Sequence, residues 1–285
     1  MSAGEPLLEA RNLVKEFTTN TGGVLSGKKR AFRAVDDVSF AVGRARTVAV
    51  VGESGSGKST TARMVARLMP ADGGSVLLDG EDVTHGTGAA LKHFRSQVQV
   101  VFQDPFSSLN PRHTVDRIIT APLDYQGMGV PGGKRQLVKG LMERVGLNPD
   151  HSGRYPSQFS GGQAQRIGIA RALAVKPKLL ICDEAVSALD VSVQAQVINL
   201  FKSLQAEDGY SIIFIAHDLA VVRQIAHDVV VMNRGAVVES GTRDEIFDNP
   251  TQPYTRSLLA AIPTINPEWE ARRRVNEQRE RAALT

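Results

Sequence analysis

Gly52-Glu53-Ser54-Gly55-Ser56-Gly57-Lys58-Ser59-Thr60 carries the spacing G-x-x-x-x-G-K-[ST]. The apolar run Thr47 to Val51 precedes it and reads as a short buried strand, and Thr61 to Met69 follows and reads as a helix. That strand–loop–helix order is the context in which the pattern means a phosphate cradle rather than a Gly/Ser-rich surface turn. Glycines let the backbone curl with its N–H groups pointing inward, so that a concave anion nest forms at the start of a helix. Lys58 is placed to reach the β- and γ-phosphates and the Ser59 hydroxyl to hold Mg²⁺, with Gly52, Ser54, Gly55, Ser56, Gly57 and Thr60 completing the cradle. The stretch implies nucleoside triphosphate binding and leaves its purpose open.

Composition bounds the rest. Of 285 residues 42% are apolar and 22% charged, ordinary for a chain that builds a real core. Lys and Arg exceed Asp and Glu by 34 − 30 = 4. An excess this mild is compatible with nucleic acid, an anionic membrane surface or neither and assigns no partner; the expectation of no nucleic acid rests on the motifs. The one cysteine, Cys182, lies in an apolar run, so an intrachain disulfide or a multi-cysteine metal site is excluded. No stretch approaches the roughly 18–20 apolar residues that span a bilayer. Met1 to Glu9 lacks the basic-then-apolar order of a secretory signal. The expectation is a soluble chain in a reducing, cytosolic setting, whose membrane role would come through a partner.

Leu7 to Phe17 and Ala34 to Val42 alternate in polarity, as half-buried antiparallel strands do, and Thr18 to Arg33 between them reads as an extended loop. Val76 to Leu78 and Val98 to Phe102 are strand-like. From Thr114 to Gly146 the periodicity turns helical, with a break at Gly127 to Gly133, so Asp104 to about Tyr155 reads as a helical insert. A helix from Ser160 to Val175, a buried strand Leu179 to Cys182, a helix Val191 to Leu204 and a buried strand Ser211 to Ala216 follow. This alternation predicts a parallel sheet covered on both faces. Val229 to Met232 and Ala236 to Ser240 form a hairpin across Asn233-Arg234-Gly235, and the tail from Pro267 reads as a solvated, charged helix or disorder.

Four further features carry chemistry. Leu179 to Cys182 ends in Asp183, which puts a carboxylate at the C-terminal edge of the sheet beside the phosphate loop, where it can hold Mg²⁺. Glu184, one residue on, faces the other way and can polarise a water for attack on the γ-phosphate. His217 and Gln103 end neighbouring strands, and could orient that water or, for Gln103, reach the metal; alone, each would be an ordinary surface residue. Ser160-Gly161-Gly162-Gln163 opens a helix with a Ser cap and two glycines, a second anion-facing surface with bare N–H groups. Two such surfaces serve one nucleotide most simply when two chains meet around it. An ordinary capped helix is the alternative.

Taken in order, the phosphate loop, Gln103, Ser160 to Gln163, Asp183-Glu184, Ser187-Ala188-Leu189-Asp190 and His217 resemble the ATP-binding cassette of an ABC transporter from about Leu7 to Pro263. The resemblance implies an α/β fold: a P-loop NTPase cassette with a RecA-like parallel-sheet core, an antiparallel β subdomain and an inserted helical subdomain over 104–155. It also implies that Phe17 stacks on adenine, that Gln103 links ATP to membrane subunits and that Asp190 lies in a dimer-interface loop. Phe102 to Pro105, Ser108 to Arg112, Ser187 to Gln196, Ile215 to Val222 and Asn249 to Arg256 are similar to the dipeptide/oligopeptide importer subfamily, within it to the second ATPase subunit, with a C-terminal extension and tail over 241–285. The expected cofactors are ATP and Mg²⁺. The expected partners are a second, non-identical ATPase subunit, two transmembrane permeases and, through them, an extracytoplasmic peptide-binding protein. The expected place is peripheral, on the cytoplasmic face of the cell membrane.

Iron–sulfur relatives need several cysteines in the extension; none follows Cys182, and no cluster is expected. Ala185 stands where the family usually has proline, and Ala164 where a longer side chain is common. Neither change removes a ligand, so hydrolytic competence is expected once a partner supplies its signature helix. A non-transport cassette acting on ribosomes or DNA, and a nucleotide switch without turnover, are the competing readings. A single cassette without heptads weighs against the first, and Glu184 with His217 against the second.

Overall fold

Thr47–Val51, Leu179–Asp183 and Ser211–Ile215 are buried at every position, because each strand separates two cores. Successive side chains of a strand point to opposite faces. Ala49, Val51, Leu180, Cys182, Ile212 and Phe214 therefore enter one apolar cluster, and Val48, Val50, Leu179, Ile181, Ile213 and Ile215 the other. Continuous apolar runs are the sequence consequence of a sheet covered on both sides.

The computed structural model describes residues 5–20 and 29–261. Their strands are β1 (Leu8–Asn20), β2 (Lys29–Val42), β3 (Thr47–Val51), β4 (Gly73–Leu78), β5 (Glu81–Asp82), β6 (Val98–Val101), β7 (Leu179–Asp183), β8 (Ser211–Ile215), β9 (Asp228–Asn233) and β10 (Ala236–Thr242). The helices are α1 (Lys58–Val65), α2 (Gly88–Gln97), α3 (Pro105–Ser108), α4 (Val115–Gln126), α5 (Lys134–Arg144), α6 (Gly161–Leu173), α7 (Val191–Asp208), α8 (Leu219–Ile225), α9 (Arg243–Asp248) and α10 (Pro253–Ala260). One sheet has the order β10-β9-β3-β8-β7-β6, parallel from β9 to β6 with β10 antiparallel at the edge. A second, antiparallel sheet has the order β2-β1-β4-β5. The chain is an α/β protein of the P-loop cassette type.

The two cores have different partners. The first cluster joins the parallel sheet to α4 through α8, including Ile119 and Met142 of the helical stretch, with Phe201 and Phe214 meeting edge to face at 6.3 Å. The second joins the sheet's other face to α1 and the antiparallel sheet. β3, which carries the phosphate loop, sits between β8 and β9. Its start is fixed by a hydrogen bond from the Thr47 N–H to His227 Nδ1 at 3.0 Å. An imidazole nitrogen that accepts from an amide is unprotonated, so this ring carries its proton on Nε2. Burial first, then the neighbouring Arg46, pushes the His227 pKa down and favours that neutral form.

Differences from the sequence expectations are local. The expected loop Thr18 to Arg33 is narrower, because β1 runs on to Asn20 and β2 begins at Lys29, pairing Thr18 with Ala31. The helix after the phosphate loop starts inside it, at Lys58, and ends at Val65. The hairpin turns on two residues, Arg234 and Gly235, both at positive φ, with Asn233 paired to Ala236. That is the twist a two-residue hairpin favours. Helix α2 was not anticipated. The tail from Pro267 lies outside the described residues.

Candidate nucleotide site

The phosphate loop leaves β3 at Gly52 and becomes α1 at Lys58. Gly57, the N-cap of α1, has φ +101°, and a Cβ there would lie 2.5 Å from the Ala34 carbonyl oxygen, so only glycine fits. No side chain caps α1, and its first turn holds no acid. Its leading N–H groups and the positive end of its dipole are thus available to an anion. Lys58 is 5% exposed; its Nζ donates to the Gly52 and Glu53 carbonyl oxygens, both at 2.8 Å. Burial pushes its pKa down, and the nearby Glu184, Asp183 and Glu53 carboxylates oppose that shift.

Adjacent β7 and β8 bring the chemistry to the same edge. The Ser59 hydroxyl donates to Asp183 Oδ1 at 2.8 Å, joining loop and sheet. Glu184, past the strand end, adopts φ +48°, a sparsely populated region for a residue with a side chain. Its N–H donates to the Ile215 carbonyl oxygen at 3.1 Å, which pins the turn. Its Oε2 accepts from Gln103 Nε2 at 2.8 Å and lies 4.0 Å from His217 Nδ1. Gln103 Nε2 also reaches Ser187 Oγ at 3.3 Å. Thus Gln103, Glu184 and His217 form one group, and Ser59 with Asp183 another beside it.

The remaining candidates stand apart. The side chains of Ser160 and Gln163 make a capping box: Ser160 Oγ accepts from Gln163 N at 3.3 Å and Gln163 Oε1 accepts from Ser160 N at 3.0 Å. The expectation of bare N–H groups is therefore corrected at Gln163, while among the described residues no acceptor meets the Gly161 or Gly162 N–H. Asp190 caps α7, accepting from Val193 N, and its carboxyl is held below the usual range first by the Ser192 hydroxyl and then by that amide. Phe17 is exposed on β1, opposite Phe32, with Lys15 Nζ 5.8 Å from its ring centroid. None of these three contacts the Gln103–Glu184–His217 group in the hydrogen-bond and ion-pair network of the described residues.

Three neighbours have no site role in the sequence reading. Ser187 bridges Gln103 and the Glu184 carbonyl, to which its hydroxyl donates at 2.9 Å. Gln165, 1% exposed in α6, donates to the Phe102 carbonyl oxygen at 3.2 Å and ties that helix to the end of β6. Tyr254 Oη accepts from the Glu53 N–H at 3.2 Å. A polar residue at an inward helical position was a signal for Gln165; the other two depend on contacts that no local pattern encodes.

Residues 35–187 match the ABC transporter family, and residues 238–284 match the oligopeptide/dipeptide transporter C-terminal region. The glutathione import ATP-binding protein GsiA of Salmonella paratyphi A is 47% identical over 272 residues, and that of Escherichia coli O6:H1 is 48% identical over 273. These alignments cover 95% of this chain and 44% of each relative, so the chain spans less than half the length of the curated relatives it matches. Among solved structures, cbiO1 from Clostridium perfringens, part of the ABC transporter complex cbiONQ, has a TM-score of 0.72 at 24% identity, covering 86% of this chain and 92% of its own, a likeness of fold. The dimeric structure of MJ0796, a bacterial ABC transporter cassette, has a TM-score of 0.72 at 27% identity, covering 83% and 98%. With the first match spanning more than half of its residues, the chain belongs to the ABC transporter family, as a nucleotide-binding cassette.

Proposed function

We propose that the chain is the ATP-hydrolysing subunit of an ABC importer, energising uptake of dipeptides or oligopeptides by ATP-driven pairing with a partner cassette. The observation that carries the ATPase reading is the convergence of Gln103 and His217 on Glu184, beside the Ser59–Asp183 pair. In this reading the loop amides and Lys58 bind the triphosphate, and Phe17 stacks on the adenine. The Glu184 carboxylate takes the proton of the attacking water, while Gln103 and His217 orient that water and the γ-phosphate.

Among the described residues no three His, Cys, Asp or Glu side chains cluster as a metal site. The Ser59 hydroxyl and Asp183 carboxylate, with Gln103 near them, suit Mg²⁺, which takes few protein oxygens and completes its shell with phosphate and water. Bound there, it would neutralise charge on the β- and γ-phosphates.

The end of α6, Ser160 to Gln163, would cover the γ-phosphate held by a partner's loop, with Asp190 in the interface. ATP then favours the closed pair because it is bound better there than in the open one. The cassette would span 7–263, its 104–155 insert docking on two permease subunits, and 241–285 would form the importer-type extension and tail. Among the described residues no helix is long and apolar enough to cross a membrane. A peripheral place on the cytoplasmic face, reached through the permeases, accords with that. The second ATPase subunit would be non-identical, and an extracytoplasmic binding protein would deliver the peptide to the permeases.

The match of residues 238–284 and the GsiA relatives support a peptide cargo. The test is co-purification with the bound permeases and partner ATPase, reconstitution into vesicles, and uptake of labelled di- to pentapeptides. ATP-dependent peptide accumulation is expected. Nucleotide hydrolysis that no peptide stimulates, with no accumulation, would overturn the cargo assignment.

A further inference from the structure

We propose that Tyr254 is a positioning residue for nucleotide binding, through which the C-terminal region holds the shoulder of the phosphate loop. The inference rests on reading Gly52 to Thr60 as the nucleotide-binding loop.

Glu53 is held from two sides. Its N–H donates to Tyr254 Oη at 3.2 Å, across 201 residues of chain, and its carbonyl oxygen accepts from Lys58 Nζ at 2.8 Å. One residue thus links the phosphate-binding lysine to a hydroxyl on α10. The Tyr254 ring packs on the first apolar core together with Leu258 and Leu259, which fixes where that hydroxyl lies.

The helix carrying Tyr254 is itself anchored. Glu239 on β10 accepts from Thr251 N at 2.6 Å and Thr251 Oγ1 at 2.7 Å with one oxygen, and from Gln252 N at 3.2 Å with the other. Arg256 closes the turn by donating to the Pro250 and Thr251 carbonyl oxygens at 3.0 and 3.1 Å. The hairpin holds the far side of the loop as well, because Gly235 N donates to the Ser56 carbonyl oxygen at 3.0 Å. The loop is therefore gripped at Ser56 by the β9–β10 turn and at Glu53 by α10.

A cradle of amides binds an anion best when its shape is set beforehand, since ordering it on binding is subtracted from the affinity. Removing only the Tyr254 hydroxyl should free the Glu53 shoulder and leave the packing intact. The expected loss is that of one neutral hydrogen bond, between about twofold and tenfold in affinity.

The experiment uses the 285-residue chain as wild type, Tyr254→Phe, Glu239→Ala and the double variant, titrated alone with a fluorescent ATP analogue and, paired with the co-purified partner cassette, assayed for steady-state hydrolysis. In Tyr254→Phe the dissociation constant and the KM for ATP should rise together by about twofold to tenfold. Its kcat should match wild type, and its nucleotide-free melting temperature should fall by no more than the ~4 °C that one lost hydrogen bond costs a chain of this size. Glu239→Ala, which releases α10, should give a similar loss, and the double variant no more than either alone, as expected of residues acting through one contact. Wild-type affinity in Tyr254→Phe would overturn the proposal, as would a fall in melting temperature alone or in kcat with KM unchanged. If Glu239→Ala fails to fold, Tyr254→Phe decides by itself. A wild-type chain that does not bind the analogue would instead overturn the reading of the loop.

Discussion

The phosphate-loop edge and the Ser160 helix end share a feature, backbone N–H groups at a helix start, yet they are built differently. The loop edge is wired across the chain: Ser59 to Asp183, Gln103 to Glu184, Glu53 to Tyr254 and Ser56 to Gly235. The helix end makes its side-chain hydrogen bonds within four residues, through the Ser160–Gln163 capping box. Its one tight tertiary constraint is steric. A Cβ on Gly162 would lie 2.3 Å from Val193 Cγ1, so at this point α6 meets α7 closely enough that any larger residue would have to displace the Val193 side chain. On the proposed reading, the fold ties one half-site into its core as the chemical centre and leaves the other, a self-capped helix end, as a contact surface for a partner.

The sharpest break in that comparison comes from the chemical centre. Glu184→Gln keeps the shape and an acceptor toward Gln103 but loses the carboxylate that removes a proton. Turnover measured by phosphate release should fall by about 10²–10⁴-fold, the range of a lost general base. Nucleotide affinity should stay within about twofold, since the cradle is untouched. Undiminished turnover would move the chemistry away from this edge.

Lys58→Ala comes next. It removes the charge the cradle presents to the β- and γ-phosphates and leaves the Gly52 and Glu53 carbonyl oxygens without their donor. Loss of hydrogen bonds to a charged group costs about 1.5–3 kcal/mol, so ATP affinity should weaken by about 10- to 150-fold in a direct titration. Unchanged affinity would show that the loop binds something other than a triphosphate.

What the sequence disclosed follows the same division. The buried strands were legible because a run such as Leu179 to Cys182 is apolar at every position, and the termination in Asp183 marked the functional edge. The loop was legible because its spacing is local. Helix α2 was not, since it is short and packs on the core with only Leu91 and Phe94, Phe94 being its one buried side chain. The ends of β1 and β2 were not, because Glu16, Phe17, Thr18 and Ala31 to Arg33 are exposed and their pairing is decided by the partner strand rather than by polarity. Ser187 and Tyr254 were missed because their roles exist only after distant segments meet. The Ser160 cap is legible in the sequence, but that its hydroxyl occupies the Gln163 N–H and that Gln163 Oε1 accepts in return from the Ser160 N–H need the side-chain geometry.

The smallest effect bears most directly on the contrast. Ser160→Ala removes the hydroxyl that accepts from Gln163 N, which in a helix cap costs about 1 kcal/mol. For a chain of this size that lowers the melting temperature by about 2–4 °C. ATP affinity of the isolated chain should not change, because Ser160 makes no contact with the phosphate loop. Capture of a partner cassette should weaken: in a Glu184→Gln background with ATP, which holds the closed pair, sizing chromatography should show less of the paired form when Ser160→Ala is added. If Ser160→Ala instead weakened ATP binding in the isolated chain as much as Lys58→Ala does, both surfaces would be serving one nucleotide within one polypeptide. The division between a wired centre and a free contact surface would then fail.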